Sequence, residues 1–212
     1  MNRRLVSVFY RDAGPFMESG LFNDLITSNN PDELTPEDVI VVWGGADISP
    51  SLYKREKSHL CWADEVPSRR DQVEWDMMQR AIALNIPIIG ICRGAQMLCA
   101  AAGGYLMQHV NGHGGSHHVE TYKGDLITTN SIHHQMMVPL GTEHEVLAQI
   151  PVDKLRSDVY WDGNQKVDHK QEPEFIYFNK VRGFAVQWHP EMMSPSCAAT
   201  KFIFDEMENR LG

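Results

Sequence analysis

Apolar residues cluster near the start of the chain in short runs that stop abruptly at turn residues. Residues 5–9, 38–43 and 86–89 are such runs, largely without polar alternation. A continuous apolar run of this length fits a strand buried on both faces, as in a parallel sheet. Between the second and third runs the period changes. Over residues 69–85, Val73, Met77, Met78, Ala81 and Ile82 recur at helical spacing, and Pro87 follows the expected helix end. The third run leads into residues 93–104, an alanine-rich segment of high helix propensity closed by Gly103 and Gly104. Strand, helix, strand and helix in alternation predict an α/β fold, a mainly parallel central sheet flanked by helices.

Beyond Gly104 the periodicity weakens. Residues 111–118 read as a glycine-rich loop, 126–130 and 174–178 as strands, and 183–188 as a strand ending at His189-Pro190. A closing helix is expected with Ser194 as N-cap and Pro195 at the first helical position, its apolar face carrying Ala198, Phe202 and Met207. There is no internal repeat and no low-complexity linker, so one domain over residues 1–212 is expected.

Composition narrows the function classes. A chain of 212 residues, 42% hydrophobic, can bury one sizeable core. With 28 acidic against 19 basic residues and a formal charge of -9, it lacks the concentrated basic surface that a nucleic-acid partner requires. Ser7, Tyr10 and Arg11 interrupt the first apolar run too early for a signal peptide, and no later segment reaches the length of a membrane span. The expectation is a soluble, cytoplasmic protein without a membrane partner. Cys61, Cys92, Cys99 and Cys197 lie far apart with no C-x-x-C pair, which fits reduced thiols rather than a disulfide framework or a zinc knuckle.

The strongest chemical signal is Gly90-Ile91-Cys92-Arg93-Gly94-Ala95-Gln96, which puts a cysteine where a buried strand meets a helix. A sharp turn there projects the side chain above the sheet edge, and the flanking glycines leave room for the backbone, as in a serine nucleophile elbow. The helix N-terminus favours the thiolate. A buried core cysteine would not need both glycines. Gln187-Trp188-His189-Pro190-Glu191 supplies a partner: His189 as base, with the Glu191 carboxylate two residues on to accept the imidazole N–H and fix its tautomer. Alone, H-P-E would more often be a solvated turn. Trp43-Gly44-Gly45-Ala46-Asp47 follows the second strand at the same carboxyl edge, where ligands of open α/β sheets bind, and its glycines would let a backbone N–H approach an oxyanion.

G-x-C-x-G-x-Q followed far downstream by H-P-E resembles the class I glutamine amidotransferase domains, with closer similarity to the γ-glutamyl-γ-aminobutyrate hydrolase branch. Gly44, Gly45, Asp47, Pro50 and Tyr53 look like its G-G-x-D-x-x-P-x-x-Y, Arg70, Asp71 and Glu74 like its R-D-x-x-E, and residues 130–135 like its N-S-x-H-H-Q. The resemblance covers about residues 38–110, 130–135 and 183–191. It implies a flavodoxin-like fold with a cysteine nucleophile elbow and a Cys92, His189, Glu191 triad. It also implies an oxyanion hole from the backbone N–H groups of Gly45 and Arg93, with Gln96 and residues 131–134, including Ser131, His133 and His134, holding the glutamyl end of the substrate. The region before Gly44 is shorter than in that branch, which leaves the identity of the amine open.

The expected reaction is hydrolysis of glutamine or a γ-glutamyl amine through a γ-glutamyl thioester, with no cofactor. A first rival keeps the chemistry and makes the chain a glutaminase subunit passing ammonia to a separate synthetase chain. A silent binding module on the same fold is disfavoured by the presence of all three triad residues, and another cysteine-elbow hydrolase by H-P-E. His109, His113, His117, His118, His133 and His134 raise a metal hypothesis. Their spacing argues against it, because Gly112, Gly114 and Gly115 make a shared helix face improbable and no carboxylate or cysteine is fixed among them. No metal is expected, and a flexible loop near the active site is. Cys99 reads as core.

Overall fold

Val39, Ile40, Val41 and Val42 are completely buried. Successive side chains of a strand point to opposite faces, so Val39 and Val41 enter one apolar layer and Ile40 and Val42 the other. A run apolar at every position is what a strand covered on both faces requires.

The computed structural model describes residues 3–9 and 13–211; Tyr10 and Arg11 of the N-terminal reading lie outside the described residues. In chain order come β1 (Arg4–Val8), α1 (Gly14–Glu18), β2 (Asp24–Thr27), β3 (Asp38–Val42), α2 (Arg69–Ala83), β4 (Ile88–Ile91) and α3 (Arg93–Ala101). There follow β5 (Tyr105–Met107), β6 (His109–Val110), β7 (His117–Thr121), β8 (Leu126–Thr129), β9 (Met136–Val138) and β10 (His144–Gln149). The last are β11 (Tyr160–Asp162), β12 (Gln165–Lys166), β13 (Pro173–Phe178), β14 (Gly183–Val186) and α4 (Ala198–Leu211).

Nine strands form the main sheet in the order β2-β1-β3-β4-β14-β13-β10-β7-β8. From β2 to β14 every pairing is parallel, and from β14 to β8 every pairing is antiparallel. On one face Met77, Met78 and Ala81 of α2 and Ala95, Leu98 and Cys99 of α3 pack with Ile40, Val42 and Ile88. On the other, Phe16 of α1 and Ala199, Ile203 and Met207 of α4 pack with Val39, Val41, Ile89 and Val186. Among the described residues no helix is long and apolar enough to cross a membrane.

Several local expectations are corrected. The strand expected over 86–89 is Ile88–Ile91, running up to Cys92. The peptide N–H of Ile86 instead closes the end of α2 on the Ala81 carbonyl, and Asn85 adopts a left-handed conformation that ends the helix early. Ser194 does not cap α4: its hydroxyl bonds to Ser196, and the first helical hydrogen bond runs from Lys201 N–H to the Cys197 carbonyl. Within the segment read as a loop, His117 and His118 begin β7, pairing with Thr129 and Thr128.

Candidate active site

Strands β3, β4 and β14 are adjacent and parallel, so their carboxyl ends emerge side by side. The segments following them are Trp43-Gly44-Gly45, Cys92 and Gln187-Trp188-His189. Register alone therefore gathers three motifs separated by up to about 145 residues of sequence, at the edge where open α/β sheets bind ligands.

Cys92 sits between β4 and α3 with φ +51° and ψ -105°, a strained conformation for a residue with a Cβ. Its N–H donates to the Val186 carbonyl at 2.7 Å and its carbonyl accepts from Gln96 N–H at 3.1 Å, so strand pairing and the first turn of α3 both hold it. The two glycines are needed for a sharper reason than general room. A Cβ on Gly94 would stand 2.1 Å from the Val42 carbonyl oxygen, and one on Gly90 2.4 Å from the Gly94 carbonyl oxygen. They let the start of α3 press directly on β3 and β4.

His189 lies beside the cysteine. A Cβ on Gly44 would fall 2.6 Å from His189 Cε1 and 3.4 Å from Cys92 Cβ, so the bare glycine backbone is wedged between the two side chains. His189 Nδ1 donates to Glu191 Oε1 at 2.8 Å, which leaves Nε2 as the other ring nitrogen, buried and without a hydrogen bond. Glu191 reaches it from a 3₁₀ turn, Pro190–Met192, and not by strand alternation, since β14 has already ended. Burial opposes charge on His189, but the Cys92 sulfur and the Glu191 carboxylate outweigh it and raise its pKa to about 10. The His189 backbone is clasped from both sides by Asn130, whose amide donates to the His189 carbonyl at 3.0 Å and whose Oδ1 accepts from its N–H at 2.9 Å.

A buried ionic network supports this edge. Arg93, 2% exposed, pairs with Asp71 and Glu74. Glu74 also binds Arg70 Nε at 2.7 Å, and Arg70 reaches the Gly44 carbonyl at 3.1 Å. Asp71 serves twice, since its other oxygen accepts the Ser68 N–H in the capping box that starts α2. R-D-x-x-E thus anchors the residue after Cys92 and the glycine pair. Gly45 lies against this network, with Arg70 Nη1 2.4 Å from where its Cβ would be. Arg93 N–H, at the first position of α3, has no carbonyl four residues back within its helix.

The remaining predicted residues separate into different surroundings. Gln96 is buried and donates to the Gln135 carbonyl at 3.2 Å. Ser131 donates to the His113 carbonyl at 2.6 Å. His133 is buried between the Gln135 carbonyl and Glu174 Oε1, at 2.9 and 3.2 Å. His134 instead lies 3.0 Å from Asp47 Oδ1 and stacks on exposed Trp62. The expectation that no carboxylate accompanies the histidine-rich segment is corrected: His113 and His117 meet Glu174 of β13 in a buried group that could hold a metal ion. Nothing local in 109–118 signals this, because the carboxylate comes from a strand some sixty residues later.

The Peptidase C26 family model matches residues 32–126. The chain is 29% identical over 205 residues to "Putative glutamine amidotransferase-like protein YvdE" of Lactococcus lactis subsp. lactis, covering 86% of this chain and 78% of that protein. It is 32% identical over 137 residues to the YvdE homolog of Lactococcus lactis subsp. cremoris, covering 54% of this chain and 71% of that one. Its fold matches a glutamine amidotransferase from Thermotoga maritima with a TM-score of 0.62 at 14% identity, covering 100% of this chain and 84% of that one. The glutaminase domain of Trypanosoma brucei CTPS, solved with bound acivicin, matches at 0.55 and 15% identity, covering 98% and 93%. By sequence and by fold, the chain belongs to the class I glutamine amidotransferase-like superfamily.

Proposed function

We propose that this protein is a cysteine-dependent amide hydrolase that releases glutamate from glutamine or a γ-glutamyl amine through a γ-glutamyl thioester. The observation that carries the reading is the left-handed Cys92 at the strand–helix junction beside a histidine whose far nitrogen is bound to Glu191. The amidotransferase-like relatives support amide chemistry at this site.

In this mechanism the Cys92 sulfur attacks the γ-carbonyl carbon, a C–S bond forms, and the carbonyl π pair moves onto oxygen. The N–H groups of Gly45 and Arg93 receive that oxyanion. His189, kept protonated by its surroundings, gives its Nε2 proton to the leaving nitrogen as the C–N bond breaks. Water then attacks the thioester carbon and passes a proton to His189, the C–S bond breaks, and glutamate leaves with the sulfur restored. Glu191 holds the imidazole in the required tautomer throughout.

Gln96 and His134 supply side-chain contacts to the glutamyl end in addition to their own bonds to the Gln135 carbonyl and Asp47, while Ser131 and His133 act through the backbone they fix. The motifs shared with the γ-glutamyl-γ-aminobutyrate hydrolases favour a stand-alone hydrolase. The purified chain alone should release glutamate from glutamine or from at least one member of a panel of γ-glutamyl amines. A folded chain inert to all of them, gaining glutaminase activity only with a synthetase chain, would replace this reading with that of an ammonia-supplying subunit.

A further inference from the structure

Away from Cys92, the antiparallel half of the sheet buries a cluster of histidines around one carboxylate. Glu174 Oε1 lies 3.2 Å from His113 Nδ1, 3.5 Å from His117 Nε2 and 3.2 Å from His133 Nε2. All four side chains are essentially inaccessible to water, at 0 or 1% exposure. Donor atoms bonded to one tetrahedral zinc ion at about 2.0–2.1 Å stand roughly 3.3–3.5 Å from one another. The donor atoms of Glu174, His113 and His117 all lie within 4.8 Å of one another, close enough for one ion to draw them together.

Hydrogen bonding does not satisfy the group. Neither ring nitrogen of His113 or His117 makes an aligned hydrogen bond, and Glu174 Oε2 has no partner. Buried polar atoms left in this state are rare and unfavourable unless a further group answers them. His133 sharpens the point. Its Nδ1 can only donate to the Gln135 carbonyl, so in the neutral ring Nε2 presents a lone pair to the Glu174 carboxylate. A proton on Nε2 or a cation at the carboxylate relieves the repulsion this lone pair would meet at 3.2 Å.

The outer contacts also have the form of a ligand shell. The Gln135 carbonyl orients His133, and Glu172 Oε2 lies 3.3 Å from the far nitrogen of His113. Glu172 is itself fixed by the N–H groups of Arg156 and Ser157 and by the Tyr160 hydroxyl, at 2.9, 2.8 and 2.7 Å.

We propose that His113, His117 and Glu174 bind one divalent transition-metal ion, zinc by the chemistry of two imidazoles and a carboxylate, with His133 packed against the carboxylate from outside the ligand set. The three side chains are inaccessible to solvent, which describes a structural site that substrate does not reach. The ion ties His113 of the glycine-rich turn and His117 of β7 to Glu174 of β13, and the Ser131 bond to the His113 carbonyl carries that tie to the 130–133 segment. That segment contains Ser131, bonded to the His113 carbonyl, and Asn130, which clasps His189. The site therefore secures the loop that positions the catalytic imidazole without entering the reaction.

The test uses untagged full-length protein expressed with zinc supplementation. Elemental analysis should find about one zinc per chain, with a chelator removing it only under partly denaturing conditions. Returning zinc at about a thousandfold excess over its Kd should raise Tm by roughly 10 °C. Cobalt in its place should give the intense visible bands of a tetrahedral centre. Those bands should vanish in Glu174→Gln and His117→Asn and persist in Cys92→Ser and His134→Ala, which remove a thiol and a partly exposed imidazole away from the cluster. Wild-type protein that stays metal-free and shows neither a Tm shift nor cobalt bands overturns the proposal. So do bands lost in Cys92→Ser or His134→Ala. If the cluster variants do not fold, the wild-type spectrum and these two controls still decide.

Discussion

The two halves of the nine-stranded sheet bury different kinds of residue. Between β2 and β14, β3 and β4 are buried at every position, and the proposed catalytic groups stand above the strand ends. In the antiparallel half Glu172, Glu174, His113, His117 and His133 lie inside, within the layer itself. In the first half the polar site sits at an edge where a substrate can supply missing hydrogen bonds, and the ionic network of Arg93 steadies it from below. In the second half no substrate reaches the polar groups, so protein or a bound ion must satisfy them. Burial of polar side chains thus goes with the proposed reaction site at the parallel edge and with cohesion in the antiparallel interior.

The sharpest way to separate the halves is Cys92→Ala. Loss of the proposed nucleophile should lower glutamate release by about 10⁴-fold or more while leaving Tm nearly unchanged. Activity surviving this substitution would remove the parallel edge from the chemistry. Next in size, Glu74→Ala leaves buried Arg93 and half-buried Arg70 short of their shared carboxylate, and denaturant unfolding should show a loss of about 3–4 kcal/mol. An unchanged midpoint would mean that Asp71 alone suffices for Arg93.

Gly94→Ala tests the close approach of α3 to β3. Helix propensity favours alanine by about 1 kcal/mol, but the new Cβ would meet the Val42 carbonyl oxygen at 2.1 Å, so a net loss of about 3 kcal/mol is expected. Gly103→Ala is its control: φ is +100° with open space around it, and a loss of only about 1 kcal/mol, from backbone strain alone, should appear. Equal effects at the two sites would contradict the packing argument.

The gentlest probe is the pH dependence of Glu191→Gln. In the parent protein His189 is held protonated to about 10, so its contribution to stability is complete below its ordinary value near 6.5 and is lost as pH rises through about 10. Removing the carboxylate should bring both the alkaline loss of stability and the alkaline limb of the rate to lower pH, with a rate loss of roughly 100-fold at neutrality. An unmoved alkaline limb would show that Glu191 does not govern His189.

What could be read in the sequence follows from locality. Short apolar runs, the helical spacing of Met77, Met78 and Ala81, and a cysteine between two glycines are patterns within a few residues, and they predicted the parallel half and Cys92. Local patterns also misplaced boundaries, since Asn85, Pro87 and Ser194 act through turn geometry that residue type only suggests. The antiparallel half was weakly legible because its strands mix exposed and buried positions, and its buried charges read as surface. Only tertiary structure decided which strand ends meet, that Gly44 passes between Cys92 and His189, and that Asn130 holds the histidine backbone. It alone joined His113 and His117 to Glu174, because pairing of β10 with β13 and β7 brings together residues whose attraction depends on distance in space and leaves no trace in spacing along the chain.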